Sequence, residues 1–200
     1  MTTLPADNAD LIRRILGDGY LELRLVRLTV EEVPDLATRV AVEVGENTST
    51  TTIDGEGVGP VDALWGALVG RYAREYQSLK SVQLAGFTVG VAIESKVRRA
   101  GLDAMATVEL AVVNSDGRRF AFADTSRSIT ASAARAVIAV VQYFVNAERA
   151  FVMLSHARKD AVARSRADLV ARYTAELAEV VKSTSYAAVI EALRKELNQP

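Results

Sequence analysis

The stretch Thr38-Arg39-Val40-Ala41-Val42-Glu43-Val44, a turn at Gly45-Glu46-Asn47, and a return from Thr48 to Ile53 read together as a hairpin. It continues through Gly55-Glu56-Gly57-Val58-Gly59 into Pro60-Val61-Asp62-Ala63-Leu64. Alternating apolar residues mark the two strands, and proline at a first helical position marks the start of a helix. About seventy residues later the order repeats. Ala106 to Val113 turns at Asn114-Ser115-Asp116-Gly117, returns from Arg118 to Ala123, and passes Asp124-Thr125-Ser126-Arg127-Ser128 into Thr130-Ala131-Ser132-Ala133-Ala134. Shifted by seventy, Asp62-Ala63 falls on Ser132-Ala133 without a gap. A unit written twice argues duplication and a two-fold-related pair of helix N-termini, where backbone N–H groups favour a small anion.

Each copy gains a third strand from the flanking chain. Tyr20 to Val30 alternates Leu21, Leu23 and Leu25 against Glu22 and Arg24, and Ser81 to Ile93 carries Leu84, Phe87, Val89 and Val91. The fold class is therefore α+β, a duplicated pair of pseudo-symmetric βββα units with additional C-terminal helices. A short helix over Asp10 to Leu16, stopped by Gly17-Asp18-Gly19, precedes them. The division is an N-terminal helix at 1–19, a duplicated domain at 20–148 with units of about 20–77 and 78–148, and a helical extension at 149–200. The second unit's helix is expected from Thr130 to about Arg149. Beyond it Val162, Leu169, Tyr173, Leu177 and Val180 trace one apolar face, and Ser185 caps a last helix from Tyr186 to Leu197.

Composition removes several chemistries. Lys and Arg number 24 against 25 Asp and Glu, so the positive field that drives nucleic-acid binding is missing. With no cysteine and His156 as the single histidine, the chain cannot build a Cys–His nucleophile or a His-pair metal site. His156 reads as a helix-surface or helix-capping residue. The apolar stretch Ala136 to Val145 is interrupted at Gln142 and falls short of a membrane span of roughly 20 residues, so it is expected as a buried helix. No membrane association and no cofactor are expected. The absence of a signal-peptide pattern and of cysteine points to the cytoplasm.

Two joints remain as candidate binding elements. Gly55-x-Gly57-x-Gly59 is neither a dinucleotide fingerprint nor a Walker loop, since Pro60 replaces the third glycine of the former and the Lys of the latter is missing. It serves either a tight strand–helix contact or the exposure of backbone N–H groups to a carboxylate. The second joint, with Asp124, Thr125, Ser126 and Ser128, either caps its helix or receives an ammonium group through Asp124.

Gly57-Val58-Gly59-Pro60-Val61-Asp62-Ala63-Leu64, followed by Ala100-Gly101-Leu102-Asp103-Ala104-Met105-Ala106 and Thr130-Ala131-Ser132-Ala133-Ala134-Arg135-Ala136 with Asn146 near the helix end, resembles the C-terminal allosteric, dimerisation domain of α-isopropylmalate synthase and citramalate synthase. The likeness covers roughly residues 20–148. It implies a homodimer that binds an end-product amino acid, leucine or isoleucine, near the dimer interface. The implied ligand residues are Gly57, Gly59 and Asp62, then Val97 and Ala104, then Thr125, Ser126 and Ser128.

Two departures stand out. The family's metal-dependent catalytic barrel has no counterpart here, so the expected role is non-catalytic, modulating a separately encoded synthase-like enzyme. Phe120-Ala121-Phe122-Ala123 stands where the family places glycines, and the methyls of Ala121 and Ala123 are expected to narrow the second half of the pocket. The rival reading is a ligand-free structural dimerisation module that docks a partner through its C-terminal helices.

Overall fold

The structure, a computed structural model, describes residues 6–91 and 105–183. Helix α1 (Ala6–Leu16) ends in a 3-10 turn at Gly17–Gly19 and leads into β1 (Leu23–Glu31), β2 (Thr38–Glu46), β3 (Ser49–Gly57) and α2 (Pro60–Tyr72). After a 3-10 turn at Gln77–Ser81 come β4 (Gln83–Val91), β5 (Ala106–Val113), β6 (Arg119–Ser126), α3 (Ile129–Ala163) and α4 (Ala167–Val181). Each unit forms its own antiparallel sheet, in the orders β1-β2-β3 and β4-β5-β6. The expected α+β arrangement of βββα units with helices after them is what the chain adopts.

The duplication extends to a fine detail. A β-bulge interrupts the β1–β2 register between Leu25 and Arg27, and another interrupts β4–β5 between Leu84 and Gly86. Two residues past each extra residue, Leu28 faces Val42 and Phe87 faces Leu110; two further on, Val30 faces Val40 and Val89 faces Val108. Both hairpins turn on left-handed backbone. Asn47 (φ 49°) lies in the first turn, and in the second Gly117 (φ 74°) donates its N–H to the Asn114 carbonyl.

The inner faces of the two sheets supply fully buried Val42, Val44, Val108, Leu110 and Val112, and α2 and α3 supply Leu64, Leu68, Val137, Val140, Val141 and Phe144. Helix α2 packs on β3 and β2, whereas α3 packs on β5 and β6 of its own unit and also on β1 of the other. At the end of the second sheet Phe120, Phe122, Tyr143 and Phe144 meet edge to face or tilted, with ring centroids 5.2–5.9 Å apart. The Ala136–Val145 stretch is thus the core of α3, as its composition suggests. Although α3 is long and apolar enough to cross a membrane, 67% of its most apolar window is buried inside the protein.

Helix α1 starts four residues before the expected Asp10 and β1 three after the expected Tyr20, and larger differences follow. Strand β3 continues through Gly55 to Gly57, where the sequence reads a loop. Helix α3 does not end near Arg149 but runs on to Ala163, carrying exposed His156. The apolar face read from Val162 to Val180 is divided by a break at Arg164–Arg166, with Ser165 left-handed (φ 56°); Val162 belongs to α3 and is 54% exposed, while Leu177 and Val180 are buried on α4. The helix expected at 186–197 lies outside the described residues.

The glycines of the first joint separate into two kinds. A Cβ on Gly55 would lie 2.6 Å from both the Ala63 carbonyl oxygen and the Ala67 Cβ, and one on Gly57 would lie 2.5 Å from the Ala63 nitrogen. Gly59 has open space around it and an extended backbone (φ −157°) that any residue adopts. Gly57→Ala is therefore expected to lower the unfolding free energy by about 1–3 kcal/mol, the usual cost of overpacking. Gly59→Ala is expected to stay within about 0.5 kcal/mol of the parent. Urea titrations of the two variants check this contrast, and equal effects would contradict it.

Candidate functional site

The first joint is built by the entry into α2. Gly59 is the residue before the helix, Pro60 occupies its first turn, and Asp62 points its carboxylate back to accept the Val58 N–H at 3.1 Å. That carboxylate sits at the positive end of the helix, where it satisfies an otherwise orphaned donor and interacts favourably with the macrodipole. Val58, at the tip of the turn, is 93% exposed. The two roles left open for the glycines divide accordingly. Gly55 and Gly57 let the strand touch the helix, and only Gly59 borders free space.

The second joint performs the same entry with side-chain chemistry. Ser128 caps α3, its hydroxyl accepting the Ala131 N–H at 3.2 Å. Ser126 hydrogen-bonds the Ser132 hydroxyl (2.8 Å) and donates to the Ser128 carbonyl (3.0 Å). Asp124 accepts from the Ser132 hydroxyl at 2.6 Å and from the Arg135 guanidinium at 2.8 Å. The hydrogen bond from Arg135 is the main reason its carboxyl sits below the ordinary value of 3.8; burial opposes the shift and the Ser132 hydrogen bond reinforces it. Asp124 therefore already holds a cation, the guanidinium of the next helical turn.

Strand alternation separates the residues of this joint. Phe120, Phe122, Asp124 and Ser126 face α3, whereas Ala121, Ala123 and Thr125 lie on the opposite face of the sheet, and Thr125 exchanges a 2.8 Å hydrogen bond with Thr107 there. The methyls of Ala121 and Ala123 thus do not narrow the space between sheet and helix; Phe120 and Phe122 fill it. Ser126 and Ser128 are brought together, and Thr125 is not with them. Val97 and Ala104 lie outside the described residues.

Ser132 and Arg135 complete this cluster; both lie in the Thr130–Ala136 segment, but the sequence reading gives neither a place in the site. Their signal was positional, since a serine and an arginine four and seven residues after Ser128 return to the face that looks back at β6. Gln142 and Asn146, both noted in the sequence, take a role that the sequence did not show. They are polar residues on the buried side of α3, and their side chains bind the backbone of Leu21 and Leu23 just before and at the start of β1.

Two strand-strand-strand-helix units, each ending in a satisfied strand-to-helix joint and coupled through one shared helix, define a duplicated α+β domain without an assembled catalytic constellation among the described residues. The sequence model of the LeuA allosteric (dimerisation) domain matches residues 4–145, and the chain belongs to that family. The match spans α1, both sheets, α2 and the first half of α3. None of the curated proteins matches the chain.

The Asp124–Arg135 pair gives a pH-dependent expectation. A carboxyl whose pKa is lowered by folding stabilises the native state above its ordinary value, and that contribution is lost as pH falls through the lowered value. Arg135 is 38% exposed and Asp124 25%, so solvent screens the pair. Arg135→Met is expected to cost about 1 kcal/mol at pH 7. The gap between parent and variant should close as pH falls below the ordinary carboxylate value. Urea unfolding across pH 2.5–7 measures it, and a gap independent of pH would show that packing rather than the ion pair is responsible.

Proposed function

We propose that the chain is a non-catalytic regulatory homodimer of the leucine-biosynthetic type. It binds a small aliphatic amino acid, leucine or isoleucine, at the interface and modulates a separately encoded synthase-like enzyme in the cytoplasm. The observation that carries this reading is the match to an allosteric and dimerisation domain along the whole duplicated core. In this proposal residues 20–148 form the effector-binding domain and 149–200 a helical C-terminal extension. The effector site draws on Gly59 and Asp62 beside α2 and on Ser126 and Ser128 beside α3, with Gly57 behind them and Val97, Ala104 and Thr125 as further members. An α-amino acid suits such a surroundings, because helix N-termini favour its carboxylate and Asp62 its ammonium.

One observation favours the rival, a ligand-free dimerisation module. Asp62, Asp124 and Ser128 are each engaged by a neighbour of their own joint, which leaves those groups without a need for a ligand.

Calorimetry and thermal unfolding with leucine, isoleucine and valine separate the two. An effector that binds only the folded protein stabilises it by about 2.7 kcal/mol at a free concentration a hundredfold above Kd, and the unfolding midpoint rises with dose. Gly59→Val should then abolish the shift while leaving the unliganded midpoint near that of the parent, because Gly59 has open space and extended backbone. Failure of all three amino acids to bind at millimolar concentration would hand the function to the ligand-free module. Release of CoA from acetyl-CoA in the presence of a 2-oxo acid and a divalent metal would contradict a non-catalytic role.

A further inference from the structure

The inner faces of the two sheets are matched residue for residue but are not covered equally. On β1 the inward row is Leu25, Leu28 and Val30, opposite buried Val44, Val42 and Val40, and all three pack against the core. On β4 the corresponding row, set by the same bulge, is Leu84, Phe87 and Val89, opposite fully buried Val112, Leu110 and Val108. Those three side chains are 39%, 41% and 37% exposed. Helix α3 accounts for the difference, since it lies over β5 and β6 and reaches across to β1.

The composition of β4 adds a second, independent observation. Edge strands are normally protected by charges or proline, because their free backbone groups otherwise recruit another strand. Edge strand β1 carries Arg24, Arg27 and Glu31. Edge strand β4, Gln83-Leu84-Ala85-Gly86-Phe87-Thr88-Val89-Gly90-Val91, carries no charge and no proline. At the end of the sheet Val91 pairs with Ala106 and Ala106 with Ser126, and exposed Met105 and Ile129 stand there beside the second joint.

We infer that β4 is the centre of the dimer interface, with β4 of one protomer seated against β4 of its partner about a two-fold axis. A second copy is the occupant because the family is a dimerisation domain, and because a two-fold axis through β4 lets one uncharged, apolar patch be its own complement. The interface covers Leu84, Phe87 and Val89 in the way the core covers Leu25, Leu28 and Val30, and it removes the unprotected edge from water. It also brings the Ser126–Ser128 joint of each protomer to the margin of the interface. This assignment rests on the dimeric reading above and names its surface.

Sedimentation velocity over a range of micromolar concentrations tests it. Wild type is expected at twice the 21.5 kDa chain mass. Phe87→Asp is expected to weaken the dimer about thirtyfold or more, as loss of a central aromatic anchor does, with an unchanged far-ultraviolet circular dichroism spectrum. Leu36→Asp, which alters a still more accessible apolar residue in the β1–β2 turn, is expected to leave the dimer intact. Because the chain has no cysteine, Val89→Cys introduces a single thiol. Its reaction with a maleimide should slow at least tenfold as protein concentration passes through the dimerisation range, while a Leu36→Cys thiol, at a 68% exposed position in the β1–β2 turn, reacts at a constant rate. The thiol experiment decides the matter if Phe87→Asp does not fold. A monomeric wild type would overturn both the dimer and this interface. A dimeric wild type with undiminished association of Phe87→Asp, or with an unprotected Val89→Cys thiol, would overturn the β4 assignment alone.

Discussion

The carboxamide of Asn146 holds the two halves of this protein together. It is fully buried, it accepts the Leu21 N–H and it donates to the Leu21 carbonyl, both at 2.8 Å, as the peptide of an adjacent strand would. One turn earlier on α3, Gln142 accepts the Leu23 N–H at 2.7 Å. A buried amide or backbone group without a partner costs about 1–3 kcal/mol, so these contacts are obligatory once α3 is buried. Their effect is to fix the register of the chain entering β1 against a helix that belongs to the other unit. The cover of the first sheet, the position of α1 along α3 and the docking of α4 all follow from where that helix lies.

The two joints show one mechanical task performed by different chemistry. Each must bring the end of a third strand against the start of a helix. In the first unit the approach is so close that side chains are removed, at Gly55 and Gly57, and a single carboxylate at Asp62 ties the turn. In the second unit the joint is tied by a polar side-chain cluster of Asp124, Ser126, Ser132 and Arg135. The cluster is partly buried, and its hydroxyls, carboxylate and guanidinium satisfy one another.

What was legible in the sequence was periodic. The hairpins could be read from alternation and the helices from spacing because those signals depend on one buried face per element. The end of β3 was not legible, because glycines inside a strand resemble a loop; what keeps Gly55 and Gly57 in the sheet is Ala63 and Ala67 on a helix that local sequence cannot place. The break at Ser165 was hidden for the opposite reason. It occurs in Arg164-Ser165-Arg166, without glycine or proline, so nothing punctuates the chain where the direction changes. The joint residues Asp62, Ser126 and Ser128 could be singled out by type and position, but their partners Ser132 and Arg135 depend on which face of α3 meets β6.

Helix α3, at 35 residues about 50 Å long, begins in the second unit, passes under the first, and ends among α1 and α4. A gene that doubled a βββα unit once had two interchangeable halves. Once the second helix took on the first sheet's edge through Gln142 and Asn146, that interchangeability was lost. Excising the second copy strips cover from the first sheet and leaves a strand entry without its carboxamide, and excising the first leaves the carboxamides of α3 without that strand. The ancestry is still visible in the matching bulges, but it can no longer be retraced by deletion, and the two halves are bound to evolve as one.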